Sequence, residues 1–261
     1  MNYLKLHFLS FLKYQPLLKE LVMRDLKVRY RHSFLGMIWT VLNPLLMMII
    51  LTIVFSNLFK ISIENFPVYV LTGQIVFNMN ADATTQGMNA MVCNASLIKK
   101  VYIPKYLFPL SNVISCLVNF GFSFIALVLV MIFTKAPFHL SLLTLWIPLV
   151  YLIIFAFGLS LILCAANVFF RDMQHLYSVF ITAWMYLSVV FYSIEIVPES
   201  LFRVIKWNPM YQYISFFRQI IMTGTFPFFE TNLLCIAISM GMLIVGLLFF
   251  AKTQDKFILH I

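Results

Sequence analysis

Charge is scarce in this chain. Only 10% of its residues are Asp, Glu, Lys or Arg, against roughly a quarter in a soluble domain. Acids are rarest of all, at nine, and 62% of the residues are hydrophobic. A soluble protein could not hide that much apolar surface beneath so thin a charged shell, whereas a bilayer removes the need to hide it. Glycine is also sparse, at eight residues, and none of them forms a G-x-x-x-x-G-K-[ST] loop or a G-x-G-x-x-G turn after a strand. The chain therefore carries no phosphate cradle of its own. The four cysteines, Cys93, Cys116, Cys164 and Cys235, lie in or beside apolar runs without metal-like spacing, and read as small hydrophobes. The histidines His7, His32, His139, His175 and His260 are scattered, so no metal site is expected, and no nucleophile–base pair stands out.

What is present is a series of long apolar runs. They cover about 34–59, 66–93, 107–133, 142–170, 176–194 and 231–251. Each is long enough to be a membrane helix, because backbone groups in lipid must be satisfied within the segment. The expected fold is all-α and polytopic, with six transmembrane helices. The bulk of the chain, 34–254, forms the transmembrane domain, and no room is left for a soluble catalytic domain. The first apolar run begins after some 33 residues and is too long for a signal peptide's core, so it should remain in the mature protein.

Residues 1–33 read as an amphipathic interface segment in two parts. Leu4, Phe8, Phe11 and Leu12 recur near helical spacing, and after Pro16 come Leu17, Leu18, Leu21 and Val22 beside Lys19, Glu20 and Arg24. Basic residues crowd here and stop where the first apolar run starts. This is the pattern of a positive flank drawn to anionic lipid, and no nucleic-acid partner is implied. Six spans place both termini on one side. That side holds Lys5, Lys13, Lys19, Arg24, Lys27, Arg29, Arg31, Lys99, Lys100, Lys105, Arg171, Lys252 and Lys256; the other holds only Lys60, Lys135, Arg203, Lys206 and Arg218. The asymmetry predicts cytoplasmic termini and a short cytoplasmic tail over 255–261.

Between the fifth and sixth runs, 195–230 is long for a loop yet rich in aromatic and aliphatic residues. Pro198 opens one short helix and Asn208-Pro209 another, which Gly224 can stop. Two helices too brief to span predict an external re-entrant or interface-lying hairpin. Its apolar load, with Trp207, Phe216, Phe217 and Arg218, makes it a candidate outer gate, for a hydrophobic constriction closes a pore by dewetting. A passive cap lying on the bilayer is the other reading. Arg218 could meet headgroups or the acids Glu195 and Glu199.

The second run carries a polar stripe: Gln74, Asn78, Asp82, Gln86 and Asn89, with Asn80, Thr84 and Thr85 nearby. At helical spacing these share one face, and lipid would penalise them. Either they line a hydrophilic conduit offering amides to sugar hydroxyls, or they bond neighbouring helices in a packed bundle. Clustered acids or histidines at a membrane face would mark a membrane enzyme acting on lipid-linked sugars; paired intramembrane charges or repeats would mark an ion-coupled carrier. Neither is seen.

Several stretches resemble a known family. They are Arg24-Asp25-Leu26-Lys27-Val28-Arg29-Tyr30-Arg31 followed by Ser33-Phe34-Leu35-Gly36, Trp39 and Leu42-Asn43-Pro44-Leu45; the segment from Asn94 to Lys105; Phe170-Arg171-Asp172-Met173-Gln174-His175; and Trp207-Asn208-Pro209 with Arg218 beyond. In this order, over nearly the whole chain, they are similar to ABC-2 type permeases that export O-antigen, teichoic acid and related cell-wall glycans. The resemblance implies a bacterial plasma-membrane protein that pairs with a second copy of itself and with two copies of a separate ABC ATPase, on which ATP and magnesium would bind. This chain would need no cofactor and would not be an enzyme; its cargo would be a lipid-linked polysaccharide. The segment 94–105 would be a coupling helix resting on the ATPase through Leu97, Lys99, Lys100 and Tyr102, and Arg171 and Asp172 would belong to a second cytoplasmic contact. One departure stands out. The family often has proline in the fifth span, but Ser188-Val189-Val190 has none to kink it.

Overall fold

The structure is a computed structural model that describes residues 2–30, 36–58 and 63–260, with side chains over 13–28, 36–55, 63–257 and at His260. Eleven helices follow in order among these residues, with no strand: α1 Asn2–Tyr30, α2 Ile38–Leu58, α3 Phe66–Cys93, α4 Ala95–Ile98, α5 Leu107–Phe133, α6 Trp146–Phe169, α7 Met173–Leu187, α8 Glu199–Ile205, α9 Pro209–Arg218, α10 Phe229–Thr253 and α11 Phe257–His260. Four stretches, Ile38–Phe55, Leu107–Phe133, Leu140–Phe169 and Phe229–Lys256, are helical, long and apolar enough to cross a membrane. The expected all-α membrane architecture is thus present. The two parts read on either side of Pro16 belong to one helix, since α1 runs through that proline. Leu4, Phe8, Phe11 and Leu12, expected to form α1's first apolar face, have side chains outside the described residues, as do Phe34 and Leu35 at the expected start of the first span.

α3 is the axis of the bundle, packed by α2, α5, α6, α7 and α9. Its buried side bears Val70, Leu71, Val76, Phe77, Ala83, Met88 and Met91. Ser160 of α6 donates to the Ala83 carbonyl at 3.1 Å, where a Cβ on Gly87 would lie 2.6 Å from the Ser160 side chain. α6 and α10 approach more closely still. A Cβ on Gly158 would sit 2.6 Å from the Met242 backbone, and Gly246 meets Gly158 from the other helix. Small residues let the two backbones touch, the usual means of helix association where both sides are apolar.

α7 departs from its expected run of 176–194. It stops at Leu187, and Val189 takes a left-handed backbone with φ 54°. A β-branched residue there is strained, yet no proline or glycine causes the break. The cause lies in α9. Asn208 accepts from the Met210 amide at 3.0 Å and so caps α9. Its amide also donates to the Leu187 carbonyl at 3.0 Å and to Ser188 Oγ at 3.1 Å, and its oxygen accepts from the Trp184 indole at 2.8 Å. At the other end of α9, Arg218 is only 7% exposed. Its Nη1 donates to the Val189 carbonyl at 2.8 Å, Nη2 to the Val190 carbonyl at 2.7 Å, and Nε and Nη2 to the Tyr69 carbonyl at 3.2 Å. The guanidinium also lies 3.4 Å from the Tyr69 ring centroid. Gly73 leaves the space, since a Cβ there would fall 2.5 Å from Nη2. Of the acids offered to Arg218 by the sequence, neither Glu195 nor Glu199 pairs with it. It is buried on carbonyls, and the one ion pair among the described residues is Arg24–Asp25.

α9 continues into a wider turn over Gln219–Thr223 and stops at Gly224, whose φ of 71° suits glycine. The Ser141 hydroxyl bonds the Ile220 carbonyl at 3.2 Å, tying the α5–α6 connection to this turn. The two short helices expected over 195–224 are present as α8 and α9.

Two outcomes test this packing. Gly158→Leu is expected to lower the thermal midpoint of the detergent-purified protein, by about 1–3 kcal/mol of overpacking, while Gly121→Leu, with no heavy atom within 4 Å of its added Cβ, leaves the midpoint in place. Arg218→Met strands the Val189 and Val190 carbonyls, each costing about 1–3 kcal/mol when buried without a donor. Hydrogen–deuterium exchange over 186–196 should accelerate at least about tenfold at 1.4 kcal/mol per factor of ten. Arg218→Lys should not restore protection, because one ammonium lacks the planar fork.

Candidate functional site

The polar stripe of α3 divides in the fold. Gln74 turns inward and is buried, its Oε1 without a hydrogen-bond partner. Asn78, Asp82 and Thr85 are exposed on the chain's own surface, and Gln86 and Asn89 are half-buried below them. Since nearly every other face of α3 is covered, its open strip is the polar one. The lower members also bond their neighbours. Asn167 of α6 donates to Asn89 Oδ1 at 3.2 Å, and Asn112 of α5 donates to the Gln86 carbonyl at 3.1 Å. The stripe thus makes bundle contacts at its lower end and presents an open polar surface in its middle.

Two of the polar residues noted beside the stripe lie one step around the helix. Asn80 and Thr84 are fully buried. The Tyr177 hydroxyl donates to Thr84 Oγ1 at 2.6 Å and links α7 to α3. Asn80 has no hydrogen-bond partner for either amide atom.

The lower strip opens into a cleft of about 540 Å³, lined by Arg24, Asp25 and Val28 of α1, Thr85, Gln86 and Asn89 of α3, and Asn112 of α5 among others. Arg24 grips Asp25 Oδ1 through Nη2 at 2.7 Å and Nε at 3.1 Å. Its Nη1 donates to Asn94 Oδ1 at 2.8 Å, and Ser111 Oγ lies 3.5 Å from Asp25 Oδ2. The pair braces α1 against the end of α3 and the start of α5. The sequence marked Arg24 only as one of the flanking positive charges, and Asp25 only through the family resemblance; nothing in their spacing announced the pair.

At the same end lies the segment after α3. α4 is a single turn, and Ile98 and Ile103 sink into a cluster with Leu107, Phe108, Ala165 and Val168. That anchoring pushes the residues between them outward. Lys99 and Lys100 are exposed, and Tyr102 is 94% exposed. Leu97 is half-buried. Arg171 and Asp172 form the exposed turn between α6 and α7. Residues 254–260, expected as a tail, fold back as a 3₁₀ turn and α11.

At the far end, Trp207 is exposed, whereas Phe216 and Phe217 are buried in the chain's own core. Phe216 meets Phe226 edge-on at 5.4 Å, and Phe217 meets Phe120 at 6.2 Å. Among the described residues no group of three His, Cys, Asp or Glu could hold a metal. Cys116, Cys164 and Cys235 are buried and Cys93 is exposed.

The profile of the ABC-2 type transporter family matches residues 16–222. The chain is 32% identical over 245 residues to an O-antigen export system permease protein RfbA of Klebsiella pneumoniae, covering 92% of this chain and 93% of that protein. It is 33% identical over 251 residues to the RfbA protein of Myxococcus xanthus, covering 94% and 95%. A more distant relative is the polysialic acid transport protein KpsM of Escherichia coli, 22% identical over 213 residues, covering 79% and 81%. The motifs at Arg24–Arg31, Asn94–Lys105, Phe170–His175 and Trp207–Arg218 all lie within the matched region, and the chain belongs to the ABC-2 type transporter family.

Proposed function

We propose that this chain is the membrane-spanning subunit of an ABC exporter that moves lipid-linked polysaccharide across the bacterial cytoplasmic membrane. Two copies enclose the path, and two copies of a separate ATPase supply the energy. The single observation that carries this reading is the strip of Asn78, Asp82 and Thr85, left open on a helix otherwise buried. Facing lipid, polar side chains in such a strip would be costly; facing water between two protomers, they offer donors and acceptors to hydroxyls.

In this reading α2, α3, α5, α6, α7 and α10 make six crossings, both termini are cytoplasmic, and α8–α9 form the re-entrant hairpin. α7 has 15 residues and rises about 22 Å, short of a hydrocarbon core about 30 Å thick. Residues 188–192 complete that crossing without helical bonds, which is tolerated only where protein satisfies the backbone. Arg218 meets that requirement. With Phe216 and Phe217 committed to the protomer's own core, they hold the hairpin down, and exposed Trp207 is the aromatic left to seal the outer opening. Lys99, Lys100 and Tyr102, with Arg171 and Asp172, receive the ATPase. An exposed tyrosine on a pinned loop is the type of anchor that dominates an interface.

Asn78→Leu is expected to reduce export per folded complex about tenfold, the effect of roughly 1.4 kcal/mol, with the thermal midpoint unchanged or raised. Unfolding of the variant with normal export per folded complex would instead mark a packing residue. Tyr102→Ala is expected to weaken co-purification of the ATPase about tenfold or more, as for an aromatic hot spot, leaving the permease itself folded. Retention of the ATPase at wild-type levels by that variant would move the docking site elsewhere.

A further inference from the structure

The last residues of the chain are bonded to both elements assigned above to the ATPase. Phe257 is fully buried, edge-on to Phe169 at 5.9 Å and to Phe250 at 5.3 Å. Lys105, the last residue of the 94–105 segment, donates through Nζ to the Gln254 carbonyl and sits 5.8 Å from the Phe257 ring centroid. On the opposite side, Arg171 Nη2 donates to the His260 carbonyl at 3.4 Å, and the His260 ring meets Phe169 edge-on at 5.0 Å. One short segment thus bonds the loop after α4 through Lys105 and the α6–α7 turn through Arg171. Phe257 also shares a buried cluster with Ile98 and Ile103, the two anchors that hold Tyr102 outward.

We propose that residues 254–260 are a strap that locks the two ATPase-facing elements into one platform, so that force applied at either reaches α3, α5, α6 and α10 together. The physical argument is one of compliance. Lys99, Lys100 and Tyr102 stand on a loop held by two isoleucines, and Arg171 and Asp172 on a turn exposed to solvent. Alone, each would yield locally under load. A buried aromatic wedged between α6 and α10, flanked by one cationic bond to each element, removes that freedom, because a packed apolar core is stiff. The Lys105 bond is charge-assisted and strengthened by the ring beneath it. The inference rests on the proposed division of labour between permease and ATPase. It adds a positioning role for a segment that touches neither substrate nor nucleotide.

The test uses the permease co-expressed with its ATPase. Association, ATP hydrolysis in nanodiscs and the host's extractable surface polysaccharide are measured for Phe257→Ala, for Lys105→Met and for a chain ending at Lys256. The expected result is an assembled complex that hydrolyses ATP at about the wild-type rate while polysaccharide exported per ATP falls about tenfold, within the range of coupling between sites. Phe257→Leu, which refills the wedge, should restore most of the ratio. Lys105→Met keeps the apolar stem and loses only the bond, so it reports on coupling even if Phe257→Ala fails to fold. An unchanged ratio of export to hydrolysis in Lys105→Met and in the shortened chain would overturn the strap. So would a fall in export matched by an equal fall in folded permease. A wild-type complex that hydrolyses ATP but exports no polysaccharide would overturn the proposed cargo instead, and leave the strap to be judged on hydrolysis coupled to whatever is moved.

Discussion

A guanidinium holding three carbonyls is the contact on which the far end of this molecule depends. Helix α7 ends early, and beyond the turn bonds of the Ser188 and Val189 amides the backbone leaves the helical pattern. In apolar surroundings such a stretch is costly at every peptide group. Arg218 answers three carbonyls at once, those of Tyr69, Val189 and Val190. In doing so it also resolves its own difficulty, for a buried cation without a carboxylate needs a shell of oxygens. The arrangement is mutual. The break supplies oxygens because α9 supplies the cation, and α9 is placed because Asn208 caps it on the very residues where α7 stops. Gly73 is the remaining requirement, since any side chain there would occupy the guanidinium's space.

The opposite end is organised by a similar economy of charge. Arg24 and Asp25 neutralise one another while reaching across to Asn94 and Ser111. Polar groups at both ends are thereby spent on joining helices. The middle of α3 is different: Asn78, Asp82 and Thr85 keep an open surface. Buried beside that surface, Gln74 Oε1 and both amide atoms of Asn80 have no hydrogen-bond partner, so the polar groups of α3 are not all spent inside the protomer.

Much of this was legible in the residues. The expected runs 66–93 and 107–133 coincide with α3 and α5, because hydrophobic length and flanking Pro104 and Lys135 mark the ends without help from tertiary contacts. Asn208-Pro209 and Gly224 were readable as helix punctuation for the same reason. The early end of α7 was not. Its apolar run continues through Val189, Val190 and Phe191, and the residue that breaks it lies nearly thirty positions away. Spacing on α3 put Gln74, which is buried, on one face with Asn78 and Asp82, and set Thr85, which is exposed, beside buried Asn80 and Thr84, since the direction a helix face looks depends on which neighbours cover it. The folded-back C-terminus depends on one phenylalanine finding a gap between α6 and α10, which no local pattern announces.

The glycine seam between α6 and α10 has a mechanical consequence. Two backbones in contact cannot slide or roll without collision, so this pair is the rigid frame of the protomer. α7 is its opposite: within the helix only Tyr177 is fully buried, and most of its length is exposed. Elements with so little burial are the least costly to displace. Stiffness is therefore graded across the molecule, and α7, tethered at one end by a tyrosine hydroxyl and at the other by an asparagine and an arginine, behaves as a hinged stave against a fixed frame.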